Sequence, residues 1–375
     1  MSLNRMHSAL RTPRNPVPDS LSDLLLQLVP PGAGQSLGAT QARARIAVDA
    51  GRAAIALTLG FPLPDEAAQA LKADVAALLV REGLELASLE LAHRVAPHMV
   101  QPNLAPLARV RNVIAVGSGK GGVGKSTTAV NLALALAAAG ARVGVLDADV
   151  YGPSIPMMLG LSGRPESPDG KAIEPMRAHG VEAMSIGLMV EQDTPMIWRG
   201  PMATSALTQL LEQTLWGGDT GLDYLIVDLP PGTGDIQLTL AQKIPVAGAV
   251  VVTTPQDVAT LDARKALRMF EKVQVHVLGL VENMAVHVCS NCGHVEHLFG
   301  HGGGERMATQ YGVPLLGSLP LEMAIREQGD VGVPVVAAAP ASAAAAAYRQ
   351  AALRLAAELA ARPRAPVNLG ASLIG

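Results

Sequence analysis

A glycine-rich loop between an apolar run and a helical run constrains the fold of this chain more than any other feature. The segment Gly119–Ser126 reads GKGGVGKS and fits the pattern G-x-x-x-x-G-K-[ST]. It follows NVIAVGS and opens KSTTAVNLALALAAAG, which predicts a strand before the loop and a helix after it. In that context, backbone N–H groups and the positive end of the helix bind phosphate oxygens. The sequence therefore predicts a P-loop that binds a nucleotide.

The chain around this loop alternates short apolar runs with helical stretches from Val110 onward. Continuous apolar strands separated by helices predict an α/β fold with a mainly parallel sheet and helices on both faces. Ligands bind such sheets at the carboxyl ends of the strands. The length of 375 residues favours two domains. We predict a small α+β domain over residues 1–96, a Pro-interrupted linker over 97–109, and the P-loop ATPase domain over 110–375.

The small domain and the C-terminal tail have simpler patterns. The run SDLLLQL predicts a helix, ARIAVDAGRAAIALTL predicts two strands that turn at Ala50–Gly51, and PDEAAQALKADVAALLVREG predicts a second helix. The alanine-rich tail AAAPASAAAAAYRQAALRLAAELAARP is predicted to be a surface helix.

The residues expected to bind ATP and Mg²⁺ follow from the chemistry of the loop. Lys125 is expected to neutralise the β- and γ-phosphates, and the hydroxyl of Ser126 is expected to bind Mg²⁺. Asp228 ends the apolar run YLIV and is expected to serve the metal. In VGVLDADVYGPS, Asp149 is expected to position the attacking water and Asp147 to support it, although either could instead cap a turn. The complete set of expected loop contacts is Gly119, Lys120, Gly121, Gly122, Val123, Gly124, Lys125, Ser126 and Thr127.

Lys120 is a second lysine in the same loop. A lysine at the second loop position points out of the turn and cannot easily serve the same phosphates as Lys125. It is therefore expected either to reach a second nucleotide across a face-to-face dimer or to remain a solvated lysine on a mobile loop.

The order of motifs along the chain resembles one family. The loop GKGGVGKST is similar to the deviant Walker A motif of the MinD/ParA group of P-loop ATPases, in which the early lysine acts across a nucleotide-sandwiched dimer. The series VLDADVYGPSIPMMLG, MIWRGPMATSALTQLL, DYLIVDLPPGTGD, VTTPQDVATLDARKALRMF, GLVENM and FGHGGGERMATQYGVPLLGSLPLEMAIREQGDVGVPVV resembles the Mrp/ApbC iron–sulfur carriers over about residues 110–337. The resemblance implies that Asn283 contacts the adenine and that Pro255 and Gln256 line the base pocket.

A CxxC pair contains both cysteines of the chain, Cys289 and Cys292. Two thiolates clamp a metal well, but a zinc site or a 4Fe–4S cluster needs four ligands. Either His294 and His297 complete a zinc site in one chain, or a second chain supplies another pair; a redox dithiol is a third interpretation. Outside the zinc interpretation, His287, His294, His297 and His301 are expected to be solvated loop residues. The resemblance implies a labile 4Fe–4S cluster at a homodimer interface, delivered to apo-proteins and exchanged with cluster scaffold proteins.

The N-terminal region faintly resembles the MIP18-like domain found ahead of such ATPases. The segment ALRTPRNPVP stands where that domain has an Arg–Asp–Pro-rich stretch, and ALTLGFPLPDEAAQAL stands where it has a Thr-rich loop with a cysteine. This region contains no cysteine, so it cannot hold a cluster by thiolate ligation. We expect a structural or partner-docking role for it.

Charge and cysteine usage narrow the function classes. The net charge is −3, which argues against nucleic acid as a partner, and no apolar run reaches membrane-spanning length. Two cysteines in one CxxC give no disulfide framework, which predicts a reducing, cytoplasmic compartment. The sequence thus predicts a homodimeric, slowly hydrolysing ATPase that carries clusters. The alternatives are a ParA/MinD-like spatial switch and a zinc-binding P-loop ATPase.

Overall fold

The computed structural model describes residues 19–168, 170–189, 200–289 and 291–366. The stretch ALRTPRNPVP, the MIWR part of the motif before the fifth helix, and Ser290 of the CxxC lie outside these ranges. Within them, two separate β-sheets are present.

The N-terminal part folds around a three-stranded sheet in the order β1-β2-β3. The first two strands form the expected hairpin, with Ala50 at φ 48° and Gly51 at φ 78° in the turn. Two positive φ values match the twist of an antiparallel pair. The third strand runs parallel to β2, and the sequence did not predict it. The elements are α1 (Asp19–Gln27), β1 (Arg43–Asp49), β2 (Arg52–Leu59), α2 (Asp65–Arg81) and β3 (Glu85–His93).

The larger sheet has the order β11-β10-β9-β4-β8-β5-β7-β6, with β12 paired to β10. Parallel pairing connects β12, β10, β9, β4, β8, β5 and β7, and within the described part of this sheet only β6 and β11 pair antiparallel. The mainly parallel α/β fold is therefore confirmed. The strands are β4 (Val110–Ser118), β5 (Val143–Asp147), β6 (Met176–Ala178), β7 (Val181–Ser185), β8 (Leu222–Asp228), β9 (Gly248–Thr253), β10 (Val277–Val288), β11 (Val295–Glu296) and β12 (Leu315–Pro320).

Helices cover both faces of this sheet. Successive residues of β4 alternate between two cores: Ile114 packs with one set of helices and Val113 with the other. The first set is α3 (Lys125–Ala138), α4 (Ile155–Met158), α10 (Val335–Ala338) and α11 (Ala343–Ala360); the second is α5 (Gly200–Gln213), α6 (Asp235–Lys243), α7 (Asp257–Lys272) and α8 (Gly303–Tyr311). Helix α9 (Met323–Asp330) contacts α4 and α10, and a short 3₁₀ turn spans Ile186–Leu188.

The alanine-rich helix α11 was wrongly predicted to be a surface helix. It is buried along most of its length, with Tyr348 and Leu355 fully covered. One side packs on α3 and β12, and the other meets the N-terminal part, where Gln350 donates to the carbonyl of Gly32 at 2.8 Å. Alanine has no long side chain, so both neighbours approach the helix closely.

The stretch between the two sheets is held in place by buried polar side chains. The Gln101 amide donates to the carbonyls of Ala241 and Ile244 at 2.8 and 3.0 Å, and His98 contacts Asn112 Oδ1 at 2.9 Å. The linker boundaries remain a prediction, but this segment is anchored to the larger sheet. In the part of the chain that the structure covers, no helix combines the length and apolar character needed to cross a bilayer.

Candidate functional site

The glycine-rich loop joins β4 to α3, as expected. Gly122 and Gly124 have φ values of 80° and 78°, a region that glycine enters without steric cost. Helix α3 begins directly at Lys125, and Thr128 Oγ1 donates to the carbonyl of Gly124 at 2.8 Å. The loop therefore turns sharply, and the free N–H groups at the start of α3 face the space that the loop encloses.

Two glycines of the loop are required by neighbours rather than by backbone angles alone. A Cβ on Gly119 would lie 2.1 Å from the backbone carbon and oxygen of Asp262 on α7. A Cβ on Gly124 would lie 2.2 Å from the amide nitrogen of Asn283. The loop is consequently packed between α7 and the strand β10.

Lys125 is buried among carboxylates. Its Nζ lies 2.5 Å from Asp228 Oδ1 and 4.0 Å from Asp149 Oδ2, and its side chain is only 5% exposed. Asp228 ends β8, and Asp149 follows β5 by two residues. Because β4, β8 and β5 are parallel neighbours, the carboxyl ends of three strands bring these groups together.

Asp147 has a different environment from Asp149. It ends β5, is fully buried, and accepts hydrogen bonds from Ser185 Oγ and from the backbone N–H groups of Asp149 and Ile155, each at 3.1 Å. Burial raises the pKa of Asp147 to about 7, and the Asp228 carboxylate adds to the rise. Its hydrogen bonds fix the loop that carries Asp149, so the structure places Asp147 behind the site.

The carboxylate of Asp228 is placed to act as a ligand of a metal ion. Burial raises the pKa of its carboxyl, and the Lys125 ammonium opposes that rise without cancelling it. Its Oδ2 is buried and accepts no hydrogen bond from the described residues. A buried acceptor without a partner is costly unless a ligand satisfies it. Together with the neighbouring hydroxyl of Ser126, this oxygen provides the hard donors that Mg²⁺ prefers.

Asn283 supports the loop directly. Its Nδ2 donates to the carbonyl of Val123 at 2.9 Å, and it is 6% exposed. Beside it lies a cavity of about 340 Å³ whose lining includes Gly124, Thr127, Asn283, Pro320, Leu321 and Tyr348. The sequence reasoning missed Pro320 and Leu321, although both stand in the quoted motif GSLPLEM.

Pro255 and Gln256 lie elsewhere. They follow β9 and precede α7, and a Cβ on Gly303 would be 2.4 Å from the carbonyl oxygen of Pro255. Pro255 thus packs against the start of α8, and neither residue is among those lining the cavity beside Asn283. Their expected contact with the base remains a prediction.

The two cysteines lie at the tip of a hairpin. Strand β10 pairs with β9 as far as Glu282 and then continues to Val288, where β11 folds back on it. Cys289 accepts a backbone hydrogen bond from Gly293 and donates one to His294, both at 2.9 Å. Backbone N–H groups of Cys292 and Asn291 lower the pKa of the Cys289 thiol. Thiolates of lowered pKa are the metal-binding form of cysteine.

The nearby histidines do not converge on the thiols. His297 Nδ1 contacts the carbonyl of Ala285 at 3.0 Å, and His287 Nδ1 contacts that of Leu321 at 2.9 Å. His294 and His301 are exposed. Among residues with described placement, no group of three or more His, Cys, Asp or Glu side chains is arranged to hold a metal ion. In the described chain, this hairpin therefore presents two thiols without a histidine arranged to join them.

Comparison with protein families gives a match over most of the larger unit. Residues 109–356 match the family model described as ParA: NUBPL iron-transfer P-loop NTPase. The matched range contains the loop, the aspartates and the CxxC.

Several curated proteins match the chain at high identity. The chain is 60% identical over 271 residues to an iron-sulfur cluster carrier protein of Pseudomonas fragi, covering 72% of this chain and 93% of that protein. It is 57% identical over 291 residues to the Escherichia coli K12 protein of the same description, covering 77% and 78%. Mouse iron-sulfur cluster transfer protein NUBPL is 53% identical over 249 residues, covering 66% and 77%.

Solved structures agree on the fold. A nucleotide-binding protein of Archaeoglobus fulgidus in complex with ADP is 39% identical, with a TM-score of 0.53 over 60% of this chain and 87% of that one. The cell division ATPase MinD of Pyrococcus furiosus is 24% identical, with a TM-score of 0.50 over 65% and 98% of the two chains. The second likeness concerns the fold alone.

Proposed function

Because this chain belongs to the family of NUBPL-type iron-transfer P-loop NTPases, we propose that it is an ATP-hydrolysing carrier of iron–sulfur clusters. It binds a 4Fe–4S cluster between two copies of itself and transfers the cluster to apo-proteins. The observation that carries this proposal is the path of strand β10. Asn283 of this strand donates to the phosphate loop, and Cys289, six residues later, directly follows the end of the same strand at Val288.

Strand β10 therefore connects the nucleotide-binding loop to the two thiols. Six extended residues span at most about 20 Å. The strand is irregular between Glu282 and Val286, and Met284 has a φ of 56°. A movement of the loop at Val123 therefore passes through the Asn283 amide to a strand whose far end carries the CxxC.

ATP binding rearranges the charges around Lys125. Without nucleotide, its ammonium is paired with Asp228 at 2.5 Å. Phosphate oxygens offer the ammonium a stronger partner, and its transfer to them releases the Asp228 carboxylate. Asp228 and Ser126 would hold Mg²⁺, which would neutralise charge on the β- and γ-phosphates. Asp149, held by the hydrogen bonds of Asp147, orients the attacking water.

The base occupies the cavity beside Asn283. Gly124 and Thr127 of the loop line the same cavity, so a nucleotide whose phosphates lie in the loop has its base directed there. The apolar walls from Pro320 and Leu321 suit an aromatic ring. Asn283, whose Nδ2 is bound to Val123, retains its amide oxygen for the base.

A second copy of the chain covers the edge that carries the loop. Large apolar side chains are exposed there: Tyr151 is 62% exposed, and Val258 and Leu261 on α7 are 66% and 52% exposed. Exposed apolar groups of this size mark interaction surfaces. In such a dimer, Lys120 reaches the partner's nucleotide, and two CxxC pairs supply the four thiolates of one cluster.

The decisive test is anaerobic cluster reconstitution of the wild type and of Cys289→Ser/Cys292→Ser. We expect absorbance near 400 nm in the wild type and its loss in the variant. The matched control is His294→Ala/His297→Ala, which keeps both thiols and should keep the absorbance. Unchanged absorbance in the serine variant would contradict the cluster site, and zinc lost in the histidine variant would instead favour a zinc site within one chain.

A further inference from the structure

A second large cavity lies far from the phosphate loop, between the N-terminal sheet and the start of β4. Its volume is about 540 Å³, within the range of small-molecule sites. Five arginines line it, and none of its described lining residues is acidic: Arg43, Arg45, Arg94, Arg111 and Arg364.

The floor of this cavity is the open face of the N-terminal sheet. Side chains alternate between the faces of a strand, so Arg43 and Arg45 of β1 point to the same side. In the hairpin register they stand opposite Thr58 and Ala56 of β2. Small residues in the middle strand leave a trough, and the arginines stand along its edge.

Most of the arginines that line the trough have no ion-pair partner among the described residues. Arg43, Arg45 and Arg94 form no ion pair with any carboxylate of the described chain. Arg111 pairs with Asp223 at 2.5 Å, but Asp223 also binds Arg142 at 3.1 Å. At the other end of the same sheet the pattern differs, because Arg52 has Glu85 at 3.8 Å.

Arg364 closes the cavity from the C-terminal side. Its Nη2 donates to the carbonyl of Gln41 at 3.2 Å, while its Nε is buried without a hydrogen-bond partner in the described structure. The positive charge also affects the neighbouring His98. Burial lowers the pKa of His98, and the charges of Arg364 and Arg362 lower it further, whereas the hydrogen bond to Asn112 acts in the opposite direction.

This concentration of positive charge is a local property. The whole chain has a net charge of −3.

We propose that the arginine-lined cavity binds a small polyanion, a ligand with at least two phosphate or carboxylate groups. Guanidinium groups bind both anions through paired hydrogen bonds, and several of them around one trough favour a multivalent ligand. The site is separate from the phosphate loop and independent of the cluster proposal.

The test uses the full chain without nucleotide and the fluorescent anion pyrene-1,3,6,8-tetrasulfonate as the probe. We expect one probe molecule per chain, and at least about tenfold weaker binding by Arg43→Gln/Arg45→Gln. The matched control is Arg52→Gln, on the same sheet but already paired with Glu85, which should change the dissociation constant less than about twofold. Arg94→Gln provides a second variant, from the residue that follows β3, and thermal unfolding verifies that each variant is folded.

Competition identifies the anionic group. Displacement by inorganic tripolyphosphate indicates a phosphate ligand, and displacement by tricarballylate indicates a carboxylate ligand; either supports the proposal. Probe binding that survives Arg43→Gln/Arg45→Gln, or that falls equally in Arg52→Gln, overturns it. Failure of both competitors to displace the probe also overturns it.

Discussion

At the scale of single residues, two lysines of one loop have opposite surroundings. Lys125 is buried and paired with Asp228, whereas Lys120 is half-buried and forms no ion pair in the described chain. Among the described residues, no carboxylate of its own chain lies within ion-pair distance of Lys120. Its proposed role in the partner's active site accounts for a basic residue at that position.

Lys120→Ala tests this role. We expect ATP affinity to change by only a few-fold and hydrolysis to fall by at least about tenfold, because a cation supplied across an interface stabilises charge in the transition state. Nucleotide binding and steady-state phosphate release measure the two effects. Lys72→Ala, an exposed lysine on α2, is the control. An unchanged rate in Lys120→Ala would contradict the prediction.

The buried carboxyl of Asp147 predicts a pH-dependent stability. Its pKa is raised to about 7 from an ordinary value of 3.8, so the folded chain keeps a proton that the unfolded chain loses. The stabilisation is complete below about pH 4 and is lost as the pH rises toward about 7, by roughly 1.4 kcal/mol per pH unit.

Urea unfolding at several pH values measures this loss. The free energy of unfolding of the wild type should fall relative to that of Asp147→Asn between about pH 4 and pH 7, and the difference should be constant above that range. The slope is decisive rather than the absolute value, because the amide also alters the hydrogen bonds to Ser185 and Ile155. Parallel profiles for the two proteins would show that Asp147 is already ionised.

At the scale of elements, the phosphate loop is held by what packs around it. Gly119 touches the backbone of α7, while the Cα of Gly121 faces open space and has an ordinary φ. Gly119 is therefore required because a side chain would clash with a neighbouring backbone, whereas no neighbour requires a glycine at position 121. The motif alone does not distinguish them, because the neighbour of Gly119 comes from a helix more than 130 residues away.

The variants Gly119→Ala and Gly121→Ala test whether packing makes a loop glycine necessary for stability. Without nucleotide, we expect Gly119→Ala to destabilise the fold by about 1–3 kcal/mol, because backbone atoms of Asp262 cannot move aside. Gly121→Ala should lie within about 0.5 kcal/mol of the wild type. Urea midpoints with equal slopes give the comparison, and equal losses in both variants would refute the packing argument.

Helix α11 shows how composition misleads at this scale. A run of alanines has high helix propensity but little amphipathic pattern, which suggested a solvent-exposed helix. In the fold, α11 is buried between the larger sheet and the N-terminal part, and its small side chains permit close approach on both sides. Only the positions of its neighbours reveal that α11 is a buried packing element.

At the scale of the whole molecule, the described chain contains two half-sites. One edge of the sheet carries Lys120 without a local anion, and one hairpin carries two thiols without further ligands. We propose that a two-fold partner completes both arrangements, so that the working unit is a dimer.

Iron stoichiometry tests the dimer. We expect the reconstituted protein to contain about two iron atoms per chain in a species of twice the chain mass, because one 4Fe–4S cluster is shared by two CxxC pairs. Iron analysis with light scattering on anaerobic protein measures both quantities. About four iron atoms per chain in a monomer would contradict a shared cluster.

The sequence by itself determined the nucleotide loop, the alternating α/β pattern and the CxxC, because each depends on residues that are close together in the chain. It also indicated Asp228 and Asp149, since a polar residue after an apolar strand marks the functional edge of a parallel sheet. It did not reveal the parallel strand β3, the burial of α11 or the anchoring of Val123 by Asn283.

Only the tertiary structure decided which of these residues meet. It placed Asp147 behind Asp149, put Pro320 and Leu321 beside the loop, and gathered five arginines from both parts of the chain around one cavity. These contacts join residues tens to hundreds of positions apart. Their formation depends on how helices and strands pack, which local patterns of hydrophobicity and turn residues do not encode.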